Sequence, residues 1–246
     1  MRRKMANCSG APPSISAVIL AAGRSLRFQS STNKVYTDLA GHPLVAYSLD
    51  WFAKSNIVNE IILVVSKGEE KAVRALIREW SLPIRIICGG ERRQDSSLAG
   101  VEAARGTIVL IHDAARPFIM PALIHRVVEG TRKYGATVPI LPEVNTLRYR
   151  DREGFLCTTI VDRTDLVQIQ TPQGFDRNLI FHALQAADQC GVDLSDDAAA
   201  LLRLEKPVFT VPGSRINIKI TTREDLDLAV FLVRQLKETS STNDPF

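Results

Sequence analysis

Cysteine and aromatic residues are scarce in this 246-residue chain, and each scarcity argues against a class of function. Cys8, Cys88, Cys157 and Cys190 lie far apart with no Cys-x-x-Cys pair. That spacing speaks against a zinc knuckle or a disulfide framework and fits a reducing, cytoplasmic setting. Aromatics make up 6% of the chain, and no RNP-like aromatic motif offers bases a stacking platform, so a nucleic-acid partner is not expected. No apolar run approaches the roughly 20 residues of a membrane-spanning helix. The opening "MRRKMANCSGAPPSIS" has basic residues but no apolar h-region before its Pro-Pro, so residues 1–14 read as a flexible leader and not as a signal peptide. Negative charge is missing from the amino end: Arg2, Arg3, Lys4, Arg24, Arg27 and Lys34 all precede the first acidic residue, Asp38.

What is present is an alternation. With 45% hydrophobic residues the chain can bury a sizeable core, and 31 Lys and Arg against 27 Asp and Glu leave a net charge of only +4. Short apolar runs ("SAVILA", "EIILVVS", "IRIIC", "TIVLIH") take turns with segments of helical period ("PLVAYSLDWFAKS", "GEEKAVRALIREW", "DSSLAGVEAA"). This order predicts an α/β protein with a mostly parallel sheet covered on both faces, whose sites sit at the carboxyl ends of strands. The alternation breaks in "NTLRYRDREGFLCTTIVDR", where the turn signal "DREG" between two alternating segments predicts a β-hairpin arm around 142–165. A strand "PVFTVPG" and an amphipathic last helix capped by Thr221 or Thr222 follow. The expected organisation is one domain over 15–237, with 238–246 a frayed tail.

Three strand-end loops carry the chemistry. In "AAGRSLRF" the backbone at Ala21, Ala22 and Gly23, together with Arg27 and the nearby Lys34, can surround phosphate oxygens. The loop has a single glycine, so it is neither a Walker loop nor a Gly-x-Gly-x-x-Gly turn, and a solvated turn is the alternative. In "GGERRQDSS" Gly89 and Gly90 can expose backbone groups to a base edge beside Glu91, Arg93 and Ser96, with a helix start expected at Asp95 or Ser96; a plain glycine turn competes. In "IHDAARPF" Asp113 can orient a ribose hydroxyl, a metal or its water while Arg116 engages an anion, unless the two simply form an Asp–Arg ion pair. His112 has neither a nucleophile elbow nor a second histidine at ligand spacing, and reads as a hydrogen-bonded strand-end residue. Lys219 is expected on a strand "INIKI", where burial would demand an anion or acid beside it; a solvent-facing edge lysine is the alternative.

Taken in order, "AAGRSLRF", "NKVY", "GGERRQDS", "HDAARP", "NT", "VDR", "QTPQGF", "SDDAA" and "NIKITT" make residues 15 to 236 resemble the 2-C-methyl-D-erythritol 4-phosphate cytidylyltransferases. The resemblance implies a Rossmann-like three-layer nucleotidyltransferase fold that uses CTP, a polyol phosphate and Mg²⁺. It implies that Arg27, Lys34 and Lys219 act on the triphosphate, that Ala21, Ala22, Gly23, Gly90, Glu91, Arg93, Ser96 and Asp113 bind the nucleotide, and that Asp113 meets the metal. Arg116, Thr146, Arg163, Thr171 and Lys219 would meet the second substrate, with Thr146 and Arg163 delivered to a neighbouring subunit of a homodimer by the arm. The chain departs from the family pattern at Ser25, Asn33, Val35, Asn145 and Ser195. Asn145 leaves a ribitol 5-phosphate cytidylyltransferase as the nearest alternative, and a non-catalytic nucleotide- or RNA-binding regulator as the alternative of another class.

Overall fold

The computed structural model describes residues 14–23, 33–77 and 83–242. Its first strand, β1 (Ile15–Leu20), is buried along its whole length, because it lies inside a sheet with helices on both faces. A 3-10 turn (Lys34–Tyr36) and a two-residue pair, β2 (Asp38–Leu39) and β3 (His42–Pro43), lead into α1 (Leu44–Lys54). Then β4 (Glu60–Val65), α2 (Glu70–Leu76), β5 (Ile84–Cys88), α3 (Arg93–Ala103), β6 (Ile108–Asp113) and α4 (Pro121–Tyr134) repeat the unit. Proline at the first position of α4 lacks only an N–H that would have no partner there, and Gly135, at φ 83°, turns the chain out of the helix.

Four strands are parallel in the order β5-β4-β1-β6, with Leu20 beside both Val64 and Asp113. The sheet continues through β7 (Ala136–Pro142). Between β6 and β7 lies β11 (Gln173–Asp176), antiparallel to both. The arm strands β8 (Arg148–Arg150) and β9 (Leu156–Ile160) form their own two-stranded sheet, with Arg148 opposite Ile160. Asp151 closes its turn by accepting from the Gly154 and Phe155 N–H groups, and Gly154 takes φ 105°, where a side chain would be strained. The chain then returns through β10 (Val167–Ile169), antiparallel to β7. After α5 (Arg177–Gln189) and α6 (Ala198–Arg203), β12 (Phe209–Pro212) adds to β7 in parallel, and α7 (Arg223–Thr242) ends the described chain, five residues past the boundary expected at 237. Thr222 Oγ1 accepts from the Asp225 N–H and Asp225 answers the N–H groups of Thr221 and Thr222, a reciprocal cap at the place the sequence indicated.

The three layers follow from strand alternation. Ala17, Ile19, Ile61, Leu63 and Leu110 face Leu49 and Phe52 of α1 and Ile124 and Val127 of α4. Val18, Ile62, Val64 and Val109 face Val101 of α3, Ile180 and Leu184 of α5 and Leu201 of α6. Each fully buried Leu, Ile or Phe contributes about 1.5–3 kcal/mol, so the sheet is a rigid plate whose strand ends are held in register. A smaller cluster of Leu39, Leu44, Phe118, Ile220, Ala229 and Val233 seats α7 behind the segment that carries Lys219. No helix among the described residues is long and apolar enough to cross a membrane, and Cys88, Cys157 and Cys190 are free thiols.

Candidate active site

The strand order reverses around β1, which has β4 on one side and β6 on the other, and the loops after β1, β5 and β6 open together at the carboxyl ends of those strands. A Cβ on Gly89 would collide with Ser96 Oγ and with Ala22 Cβ, so the first two loops touch. A Cβ on Gly90 would collide with Asp95. Both glycines are therefore required by the approach of the loop to α3, and the Gly90 N–H is fastened to Ser96 Oγ at 3.2 Å. Helix α3 begins earlier than expected, at Arg93 and not at Asp95 or Ser96, because Arg92 and Asp95 form a capping box: the Arg92 N–H donates to Asp95 Oδ2 at 3.0 Å. Gly23 is exposed with open space where a Cβ would stand, leaving its backbone accessible. Asn33 donates from Nδ2 to the Ala21 carbonyl at 2.7 Å and accepts from the Val35 N–H, tying the 3-10 turn that presents Lys34 to the first loop. Arg27 and Ser25 lie outside the described residues.

A cleft of about 520 Å³ opens at these strand ends, and Arg93, Asp113, Arg116, Thr171, Asp196 and Lys219 are among its walls. Asp113 is the last residue of β6 and its side chain is 12% exposed. Its Oδ1 accepts from Arg93 Nε at 3.0 Å and its Oδ2 from Lys219 Nζ at 2.7 Å. Burial alone would push this carboxyl up; the Arg93 and Lys219 charges outweigh burial and hold it well below the usual carboxylate range, so it is ionised. The competing reading, an Asp113–Arg116 ion pair, does not form. The Arg116 guanidinium donates instead to the Asn217 carbonyl at 2.8 Å, and burial lowers its affinity for a proton. An arginine held there among backbone groups, with its Nε unpartnered, is suited to an incoming anion.

Lys219 is not on a strand. Residues 217–220 form no ladder: the Ile220 N–H goes to the Ala115 carbonyl and Asn217 Nδ2 to the Thr171 carbonyl at 2.8 Å. The acid that a lysine in this position requires is Asp113. Lys34 Nζ donates to the Ile220 carbonyl at 2.9 Å, so the two lysines, from opposite ends of the chain, reach the same few residues.

His112 is fully buried and proton-ordered. The Asp113 N–H donates to Thr171 Oγ1 at 3.2 Å, so the Thr171 hydroxyl proton points to His112 Nδ1 at 2.9 Å; Nε2 then carries the ring proton and donates to the Arg116 carbonyl at 3.0 Å. Burial pushes this imidazole down to about 3, which keeps it neutral, and its hydrogen bonds at the end of β6 agree with the strand-end residue read from the sequence. Thr171 borders the cleft, but its hydroxyl proton is committed to His112 and its oxygen to the Asp113 backbone.

Thr146 and Arg163 stand apart from the cleft walls. Both are exposed on the arm, where Arg163 Nη1 donates to the Val144 carbonyl. Glu91 is exposed beside the glycine loop. Sequence reasoning assigned no role to Asp197, which pairs with Arg93, or to Asn217 and Gln173, all three buried within the "SDDAA", "NIKITT" and "QTPQGF" segments. The available signal was that these segments bring polar residues into otherwise apolar surroundings.

Residues 15–235 match the family model described as 2-C-methyl-D-erythritol 4-phosphate cytidylyltransferase. Proteins of that name from Pelotomaculum thermopropionicum and Clostridium beijerinckii are 40% and 36% identical, over 89% and 90% of this chain and 94% and 99% of theirs. The crystal structure of the Thermus thermophilus cytidylyltransferase superposes with a TM-score of 0.76 at 32% identity, covering 90% of this chain and 99% of that one. The 4-diphosphocytidyl-2C-methyl-D-erythritol synthase of Anaerococcus prevotii superposes with a TM-score of 0.80 at 28% identity, covering 90% and 96%. With its strand-end cleft of paired charges and a match along nearly its whole length, the chain belongs to the 2-C-methyl-D-erythritol 4-phosphate cytidylyltransferase family.

Proposed function

We propose that the protein joins CTP to 2-C-methyl-D-erythritol 4-phosphate, giving 4-diphosphocytidyl-2-C-methyl-D-erythritol and pyrophosphate in non-mevalonate isoprenoid biosynthesis. A phosphate oxygen of the polyol attacks the α-phosphorus of CTP in line. The bond from that phosphorus to the β-phosphate bridging oxygen breaks, and pyrophosphate leaves with the electron pair. The nucleophile is already anionic near neutral pH, so no general base is needed, in keeping with a neutral and enclosed His112. What the chain must supply is orientation and positive charge.

The observation that carries the reading is the Lys219–Asp113–Arg93 row at the cleft floor, with Lys34 at its edge. Lys34 and Lys219 oppose the crowded α-phosphorus, Arg27 holds the departing pyrophosphate, and each such group lowers the barrier by on the order of 3 kcal/mol. The backbone at Ala21, Ala22 and Gly23 faces the phosphates, while Gly90, Glu91 and Ser96 border the cytosine. Arg116 takes the phosphate of the second substrate, and Thr171 acts by orienting the Asp113 backbone.

Among the described residues no group of three or more His, Cys, Asp or Glu could hold a metal. Asp113, however, gives each oxygen to only one cation and borders the cleft. The residues thus fit a Mg²⁺ ion that Asp113 would hold through a carboxylate oxygen beside the nucleotide phosphates. When bound, the ion supplies charge neutralisation across the triphosphate. Thr146 and Arg163 are not among the walls of the cleft in their own chain, and Tyr149, Phe155, Leu156 and Ile160 of the arm are strongly exposed. Those exposed apolar side chains support a homodimer in which the arm serves the neighbouring site. No crossing helix among the described residues and free thiols are consistent with a cytoplasmic enzyme.

The test is pyrophosphate release from CTP and Mg²⁺ with a panel of polyol phosphates. The reading predicts the highest kcat/KM with 2-C-methyl-D-erythritol 4-phosphate; higher kcat/KM with ribitol 5-phosphate, or no release with any of them, contradicts it.

A further inference from the structure

One buried charge has no part in the reaction described above. Asp197 has a side chain that is 0% exposed, and its Oδ2 accepts from Arg93 Nη2 at 2.7 Å. Its other oxygen, Oδ1, has no hydrogen-bond partner. The residue occupies the N-cap position of α6, where an aspartate ordinarily accepts from a backbone N–H one turn in, yet its side chain caps nothing. The neighbouring Asp196 does that work, accepting from the Ala199 N–H at 3.1 Å. A carboxylate buried without capping its helix is costly unless its charge is used by its one cationic partner.

The geometry points to Asp197 as a positioning residue that acts through Arg93 to set how much of the negative charge of Asp113 the cleft retains. The four groups form an alternating row: Lys219 to Asp113 at 2.7 Å, Asp113 to Arg93 at 3.0 Å, and Arg93 to Asp197 at 2.7 Å. The row carries two positive and two negative charges and is neutral. Because Asp197 takes one arm of the Arg93 guanidinium, Asp113 faces that cation through a single Nε contact. Abolishing the charge at Asp197 gives Arg93 wholly to Asp113 and leaves the floor with a net +1. The floor then attracts a bare triphosphate more strongly and a divalent cation beside Asp113 less strongly. Two effects of opposite sign separate this role from packing, which moves both in the same direction or neither. The inference rests on the assignment of Asp113 to the metal–nucleotide complex.

The experiment compares the wild-type chain, Asp197→Asn and the conservative variant Asp197→Glu. Mn²⁺ uptake in the presence of CTP is read by electron paramagnetic resonance, and metal-free CTP binding by calorimetry. In Asp197→Asn we expect the Mn²⁺ dissociation constant to rise about 10- to 100-fold, as for other residues that orient a metal ligand, while metal-free CTP binds several-fold more tightly. Asp197→Glu keeps a carboxylate for Arg93 and is expected to keep Mn²⁺ affinity within a few-fold of wild type. If Asp197→Asn does not fold, Asp197→Ser takes its place and is read by the same two constants. Unchanged binding constants in the neutral variant, or a Mn²⁺ affinity in Asp197→Glu as low as in the neutral variant, overturns the inference. A wild-type protein that takes up no Mn²⁺ with CTP overturns the proposed function, and this inference with it.

Discussion

At the floor of the cleft, Asp113 exposes 12% of its side chain and both its oxygens already meet cations from the same chain. On the arm, the residues Tyr149, Phe155, Leu156 and Ile160 are 60 to 77% exposed, and the Arg163 side chain meets the Val144 backbone carbonyl. Within one chain, the floor is internally satisfied and the arm is not. The floor can hold its geometry before any ligand arrives, because strand register places Asp113 and long-range ion pairs lock it. An isolated two-stranded hairpin is marginal in water, and apolar side chains on its surface gain stability only by meeting another surface. In the proposed function, this contrast corresponds to a nucleotide site within one chain and a polyol site completed by the arm of a second.

Removing the floor cations tests the first half of that contrast most severely. Lys219→Ala and Lys34→Ala are each expected to lower kcat by about 10²- to 10³-fold. Thermal midpoints should change little, since Lys219 is 41% exposed and Asp113 keeps Arg93 when it is lost. Normal pyrophosphate release by either variant would break the assignment. A smaller effect probes the rigidity of the floor. The folded state holds His112 at about 3, whereas its unfolded value is 6.5. The unfolded chain therefore binds a proton that the folded chain refuses. The stability His112 contributes is fully present above pH 6.5 and is lost as pH falls from 6.5 toward 3, by about 1.4 kcal/mol per unit. In His112→Gln, denaturant melts between pH 7 and 5 should show a shallower decline than wild type; an equal slope would mean the imidazole is not enclosed as described.

Much of the fold was legible because it is written locally. The apolar runs of β1, β4, β5 and β6, the turn Asp151 to Gly154 and the Thr222 cap are each decided by residues a few positions apart. Asp113 was legible for a related reason: a carboxylate ending an apolar strand stands where parallel sheets place their sites. What could not be read was long-range pairing. Arg93 could not be matched to Asp197 across 104 positions, nor Lys219 to Asp113 across 106. The segment "INIKI" alternates like a strand, but the Ile220 N–H is captured by Ala115 and no neighbour completes a ladder. The early start of α3 depended on an arginine acting with Asp95, a pairing that the usual N-cap preferences do not anticipate. Gln173–Asp176 carries a family motif, and nothing in its composition shows that it inserts antiparallel between β6 and β7.

The account stands or falls on whether a floor from one chain works with an arm from another. The direct measurement is to mix Arg163→Ala and Lys34→Ala subunits, demonstrate the heterodimer, and assay pyrophosphate release. Each parent is expected to be nearly inactive, and the mixture should recover activity, since one of its two sites combines an intact floor with an intact arm. Heterodimers that form and show no recovery would contradict the exchange and return both halves of the site to a single chain.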